Sequence, residues 1–129
     1  MGGSTMSQTI LLVADDSDLR VAMVALLESE GFDVVTANDG VMGLRQLERI
    51  HPPCLILLDW WLPRLSGNEF LTTLRSDPVR QRVPVVVLTA SEATPPARVE
   101  GFLRKPFSVS HLLDVVYSQC AQSQQGSSP

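Results

Sequence analysis

Five positions carry side chains that could do chemistry together: the adjacent carboxylates Asp15 and Asp16, a third carboxylate at Asp59, the hydroxyl of Thr89 and the ammonium of Lys105. Carboxylates gathered in one place repel one another, and keeping them ionised calls for a cation or a proton between them. A hard divalent cation meets that need. Mg2+ prefers oxygen ligands, keeps several of its waters and is commonly held by one or two carboxylates together with phosphate oxygens. Asp16 and Asp59, with Asp15 acting through water, suit it. Lys105 is the only lysine among ten basic residues, a compact ammonium unlike the guanidinium used elsewhere in the chain. With Thr89 it offers a positive charge and a hydroxyl to an anion at the same place. Carboxylate, metal, hydroxyl and ammonium together make a phosphoryl-transfer site.

These residues meet only if the fold brings them together. Apolar runs at 10–14, 33–37, 54–59 and 83–89, with a short one at 102–104, alternate with helix-like segments. That alternation predicts an α/β domain, a parallel sheet covered by helices. Near-continuous hydrophobicity predicts strands buried on both faces. In an open parallel sheet the crevice lies at the carboxyl ends of the strands, where Asp15-Asp16, Asp59, Thr89 and Lys105 all fall.

Leu19, Ala22, Met23, Leu26 and Leu27 recur at helical spacing, with Ser17 or Asp18 as the expected N-cap and Gly31 as the stop. A second helix is expected over about 39–49, ended by Pro52-Pro53, and a third over about 68–76. The last should begin at Ser108 or Ser110 and reach about Gln119. The stretch 91–101 differs, because Pro95-Pro96 falls where a crossover helix belongs and leaves room for a turn or two at most. Residues 1–8 read as a flexible leader, 9–120 as one domain and 121–129 as a disordered tail.

A length of 129 residues suits one core and leaves no room for a second sizeable one. With 44% hydrophobic and 19% charged residues the composition is globular. A net charge of −4 offers no general attraction to a phosphate backbone or an anionic bilayer, so direct nucleic-acid binding is disfavoured. No apolar run approaches the roughly 20 residues of a membrane helix, and 1–8 lack a secretion signal, so a cytoplasmic location is expected. Cys54 and Cys120 are expected to be separate, reduced packing residues. His51 and His111 stand apart from the acidic positions and are expected to be solvated.

The sequence resembles the receiver domain of two-component response regulators from about Ile10 to Gln119. The matching pieces are Asp15-Asp16 after Ile-Leu-Leu-Val-Ala, Asp59 in Leu-Leu-Asp-Trp-Trp-Leu-Pro, Gly67, Thr89-Ala90 after a Val-rich strand, and Lys105-Pro106-Phe107. Each piece alone is weak; their order and spacing are specific. The resemblance implies a flavodoxin-like doubly wound five-stranded parallel sheet of order 2-1-3-4-5, a topology known for the chemotaxis receiver. Here the crossover helix between the fourth and fifth strands is shortened or missing.

The same resemblance implies that Asp59 accepts a phosphoryl group from the phosphohistidine of a sensor histidine kinase or phosphotransfer protein. Asp16 would bind Mg2+ directly, Asp15 through water, and the backbone carbonyl of Trp61 would complete the protein ligands. Lys105 would pair with Asp59 and then with the phosphoryl group. Thr89 would swing inward to hydrogen-bond it, and Phe102 occupies the family's aromatic switch position. The residues at Trp61 and Ser91 flank the path of the hydrolytic water, which implies that bulky Trp61 slows phosphate loss. Output would pass to a downstream protein target from a monomer or weak homodimer, the only enzymology being self-phosphorylation and dephosphorylation. The alternatives are a degenerate receiver that binds partners without phosphorylation and, remotely, an aspartyl-phosphate phosphatase of the haloacid-dehalogenase type. The latter lacks the second aspartate expected two positions after Asp59, where Trp61 stands.

Overall fold

The computed structural model describes residues 8–62, 64–90 and 98–125, the last five by backbone alone. Five strands, β1 (Thr9–Val13), β2 (Asp33–Ala37), β3 (Leu55–Asp59), β4 (Val85–Ala90) and β5 (Gly101–Lys105), alternate with helices α1 (Ser17–Ser29), α2 (Gly40–Arg49), α3 (Gly67–Arg75) and α4 (Val109–Gln125). All neighbouring strands pair in parallel, in the order β2-β1-β3-β4-β5. The expected topology is therefore observed. The crossover after β4, where Pro95-Pro96 predicts an eroded helix, lies at 91–97, outside the described residues; Arg98 to Glu100 run as turn and bend into β5.

Side chains alternate across each strand, so the central strands build two cores. Ile10, Leu12, Leu55, Leu57, Val86, Leu88 and Leu103 face one way, onto Met23 and Leu27 of α1 and Leu112 and Val116 of α4. Leu11, Val13, Ile56, Leu58, Val85 and Val87 face the other, onto Leu47 of α2 and Phe70, Leu71 and Leu74 of α3. Every residue of β3 is buried, as its unbroken Leu-Ile-Leu-Leu run requires. The edge strand β5 departs from that expectation, with only Leu103 buried and Phe102 39% exposed.

Local chemistry sets the helix ends. Asp16, rather than Ser17 or Asp18, caps α1: its Oδ1 accepts from the backbone N–H groups of Asp18 (2.9 Å) and Leu19 (3.1 Å). The cap therefore sits one or two residues earlier than expected, because Asp16 is the last extended residue (φ −75°, ψ 113°) and Ser17 is already helical. Gly31, at φ 96°, ends the turn after α1. Asp39 caps α2 through Met42 N–H at 2.8 Å, and Ser66 and Glu69 form a reciprocal capping box on α3. Ser108 accepts from His111 N–H at 3.0 Å at the head of α4. That helix continues to Gln125, past the expected end near Gln119.

The cysteines are the clearest correction. Cys54 and Cys120 are joined in a disulfide, with Cα atoms 5.1 Å apart, rather than lying reduced and separate. The chain hides the pairing because 66 residues separate the two. Only when α4 docks beside the start of β3 do they become neighbours within one core.

Candidate functional site

The carboxyl ends of β1, β3 and β5 open onto a cleft of about 640 Å³ lined by Asp15, Asp16, Asp59, Trp61, Ala90, Lys105 and Pro106. Four of the five chemistry-bearing positions singled out in the sequence thus share one space. The register explains the convergence: Val13 pairs with Leu58 and Asp59 with Leu88, so β1 and β3 finish side by side at this edge. Ala90 pairs with Lys105, which brings β5 to the same level.

Asp59 is the buried centre of the cleft, its side chain 7% exposed. Lys105 Nζ donates to its Oδ2 at 3.0 Å, and the Trp61 backbone N–H donates to its Oδ1 at 3.3 Å. A buried carboxylate needs such partners, because an uncompensated charge there would be strongly destabilising. Lys105 reaches in from a half-buried position and precedes Pro106 through a cis peptide bond.

The loop after β1 is held from below. Arg20 Nη1 donates to the carbonyls of Ala14 (2.7 Å) and Asp15 (3.1 Å), which fixes the backbone that presents both acidic side chains. The loop after β3 is held by close packing. A Cβ on Gly67 would lie 2.4 Å from the Trp60 ring, and one on Gly40 would lie 2.8 Å from the Leu65 carbonyl oxygen. Trp60 thus packs inward on α3 while Trp61, its neighbour, stands 70% exposed at the cleft mouth.

Two expectations are modified. The tight nest of three carboxylates is not formed: among the described residues no three His, Cys, Asp or Glu side chains converge on a metal position. The reason is visible in their partners. Oδ1 of Asp16 is turned to the α1 amides, and Oδ2 of Asp59 is paired with Lys105. Thr89 lies beside the cleft rather than in its lining; it is 1% exposed, and its hydroxyl donates to the Ala90 carbonyl at a long 3.4 Å.

Phe102 sits on the sheet face shared with Thr89, away from Asp59, and the Arg104 guanidinium carbon lies 4.9 Å from its ring centroid. That contact was not foreseen, although an aromatic and a cation two residues apart in a strand are a sufficient signal for it. His51 and His111 are exposed and take no part in the cleft. No described helix is long and apolar enough to cross a membrane.

The donor set suits a hard cation. Asp15, Asp16 and Trp61 all line the cleft, and neither the Asp15 carboxylate nor Oδ2 of Asp16 takes a hydrogen bond from another described residue. Mg2+ needs only one or two carboxylates when water and phosphate oxygens supply the rest.

Comparison with known proteins agrees with this geometry. The chain is 36% identical over 115 residues to the phosphate regulon transcriptional regulatory protein PhoB of Klebsiella pneumoniae, covering 84% of this chain and 49% of PhoB. It is 34% identical over 115 residues to the DNA-binding response regulator MtrA of Mycobacterium tuberculosis, with the same coverage. The chain thus spans about half the length of these curated relatives. Among solved structures, it matches the receiver domain of the sensor histidine kinase PA1611 from Pseudomonas aeruginosa, which holds a magnesium ion in its active site cleft. That match has a TM-score of 0.82 and 30% identity, covering 90% of this chain and 99% of the other. A putative response regulator from Chloroflexus aurantiacus superposes with a TM-score of 0.83 at 25% identity, with the same coverage. The family model described as the response regulator receiver domain matches residues 10–117, and this chain belongs to that family.

Proposed function

We propose that this receiver accepts a phosphoryl group on Asp59 from the phosphohistidine of a sensor histidine kinase or phosphotransfer protein. The observation that supports it best is the buried Asp59 carboxylate, held by Lys105 at 3.0 Å, at the floor of an open acidic cleft. In the transfer a carboxylate oxygen of Asp59 attacks phosphorus as the N–P bond breaks, and the bonding pair returns to the imidazole. Lys105 holds the carboxylate beforehand and offers its ammonium to the phosphoryl oxygens.

Asp16 and Asp59, with Asp15 through water and the Trp61 backbone carbonyl, would hold Mg2+. When bound, the ion neutralises charge on the carboxylates and on the incoming phosphoryl oxygens. Thr89, buried at the end of β4, turns its hydroxyl towards the phosphoryl group, and Phe102 on the same sheet face responds. The response passes to a protein target; the chain's net charge of −4 gives this segment no electrostatic footprint for nucleic acid.

Incubation with acetyl phosphate and Mg2+, followed by intact-mass measurement, tests the reading. One phosphoryl group should be gained by the native chain and none by Asp59→Asn. An unmodified native chain would favour the alternative, a receiver that binds partners without phosphorylation. The dehalogenase-type phosphatase finds no support in the family match, and Trp61 stands where its second aspartate belongs.

A further inference from the structure

We propose that the end of the sheet opposite Asp59 carries a second binding site, for a small anion bearing two or more phosphates. The site lies at the amino ends of β4 and β5, where a cavity of about 600 Å³ is walled by Arg75, Gln81, Arg82, Arg98, Val99 and Glu100. A space of that size suits a small ligand. Three guanidinium groups meet one carboxylate here, in a chain whose net charge is −4.

Arg75, the last residue of α3, builds the walls. Its Nη1 donates to the carbonyls of Gln81 and Val83, both at 2.8 Å. Its Nη2 donates to the carbonyl of Arg98 at 3.2 Å and to Glu100 Oε1 at 3.0 Å. One side chain thus ties the loop before β4 to the turn before β5. It also covers what would repel an anion. All three carbonyls are occupied, and Glu100 Oε1 is shared between Arg75 and the Val85 N–H, which donates at 2.7 Å.

Arg82 and Arg98 supply the attraction. Both are exposed. Arg82 makes no hydrogen bond or ion pair with another described residue, and the Arg98 guanidinium makes only a long 3.4 Å donation to Thr72 Oγ1. Each offers a planar fork that matches a pair of phosphate oxygens. With Glu100 set against Arg75, two positive charges on one cavity wall are left uncompensated, which calls for an anion of at least two negative charges. A diphosphate meets that count and offers more acceptor oxygens in a short length than a dicarboxylate does. Inorganic diphosphate and the phosphates of a nucleotide share this chemistry.

Calorimetric titration of the full chain with pyrophosphate, without Mg2+, tests the proposal. The native chain should bind. Arg82→Gln and Arg98→Gln should each weaken binding about tenfold, the loss expected for a hydrogen-bonding partner of a charged group. Arg45→Gln, which removes an exposed guanidinium from α2 instead, should bind as the native chain does. In nitrogen–proton correlation spectra the shifted amides should gather at Gln81, Arg82, Val99 and Glu100. Silence at millimolar pyrophosphate overturns the proposal, as do an equal loss in Arg45→Gln, shifts gathered at the Asp59 cleft, or succinate binding as tightly as pyrophosphate. Parallel titrations with ADP and adenosine identify the source. Tighter binding of ADP than of pyrophosphate assigns a nucleotide, and equal or weaker binding assigns inorganic diphosphate. Adenosine binding as tightly as ADP would show that the phosphates are not what is recognised, and would also overturn the site.

Discussion

Lys105 and Asp59, 46 positions apart in the chain, meet at 3.0 Å across the carboxyl ends of β5 and β3. The pair is asymmetric: the carboxylate is 7% exposed and the ammonium 36%. Burial keeps the acceptor fixed, while partial exposure leaves the donor free to follow a new charge on it.

Replacing Lys105 with Met should therefore affect chemistry more than stability, because a pair this open to solvent on one side contributes only modestly to folding. Loss of a positioned cation from a phosphoryl site should slow phosphorylation by at least about tenfold. Stopped-flow phosphorylation with a small phosphodonor, beside a thermal melt, separates the two effects. A native rate in Lys105→Met would remove Lys105 from the mechanism.

Trp61 lines the cleft beside Asp59, so on the proposed function its indole should hinder water more than it hinders a bound donor. Trp61→Asn should shorten the lifetime of the phosphorylated state severalfold. Timing phosphate release from purified phosphoprotein decides the matter, and an unchanged or longer lifetime would exclude a shielding role.

Gly67 leaves no room for a side chain, with the Trp60 ring 2.4 Å from where its Cβ would be. Gly67→Ala should cost about 1–3 kcal/mol through forced displacement of Trp60. Because Trp60 follows Asp59 directly, phosphorylation should slow as well. Denaturant melts and phosphorylation rates measured on one preparation would show both changes.

The disulfide between Cys54 and Cys120 ties α4 to the start of β3. In the chain-entropy description, a bridge spanning 66 residues stabilises by roughly 4 kcal/mol. Reductant should lower the melting temperature on the order of 10 °C, and Cys54→Ser with Cys120→Ser should match the reduced protein. Intact mass under non-reducing denaturing conditions gives an independent check, since no thiol should react with an alkylating agent.

Tyr117 donates its hydroxyl to Glu30. That hydrogen bond, then burial, then the nearby charge of Glu30 raise the phenol above its ordinary value. A raised acid is favoured in its protonated form by the fold. Its stabilisation is thus complete below the ordinary tyrosine range near 10 and is lost as pH rises through the higher folded value. Asp77 is lowered by the Val79 amide and then by Arg80; its contribution is present above the ordinary aspartate range and is lost as pH falls through the folded value. Tyr117→Phe should flatten the alkaline limb of a stability–pH profile and leave the acid limb unchanged.

Much of this was legible in the chain. The alternation of Val- and Leu-rich runs with helical spacing yielded the strand and helix sequence, because buried parallel strands must be apolar on both faces. Asp15, Asp16, Asp59 and Lys105 were recognisable as one site because each ends a strand on the same edge. What escaped was tertiary. The pairing of Cys54 with Cys120 depends on where α4 docks, and the Arg104–Phe102 contact depends on an edge strand being open on one face. The cap that Asp16 makes on α1 was also hidden, since a short acidic side chain at a strand end can turn to a helix amide as easily as to a metal ion.

That last competition gives Asp16 a divided role. One oxygen begins α1 while the residue also lines the cleft, so truncation to Ala would confound a frayed helix with any loss of the proposed cation binding. An amide resolves the ambiguity: Asp16→Asn retains an acceptor for the cap and exchanges only the outward oxygen for a nitrogen. Helix stability and cation affinity can then be read apart, in one variant, by circular dichroism and by Mg2+ titration.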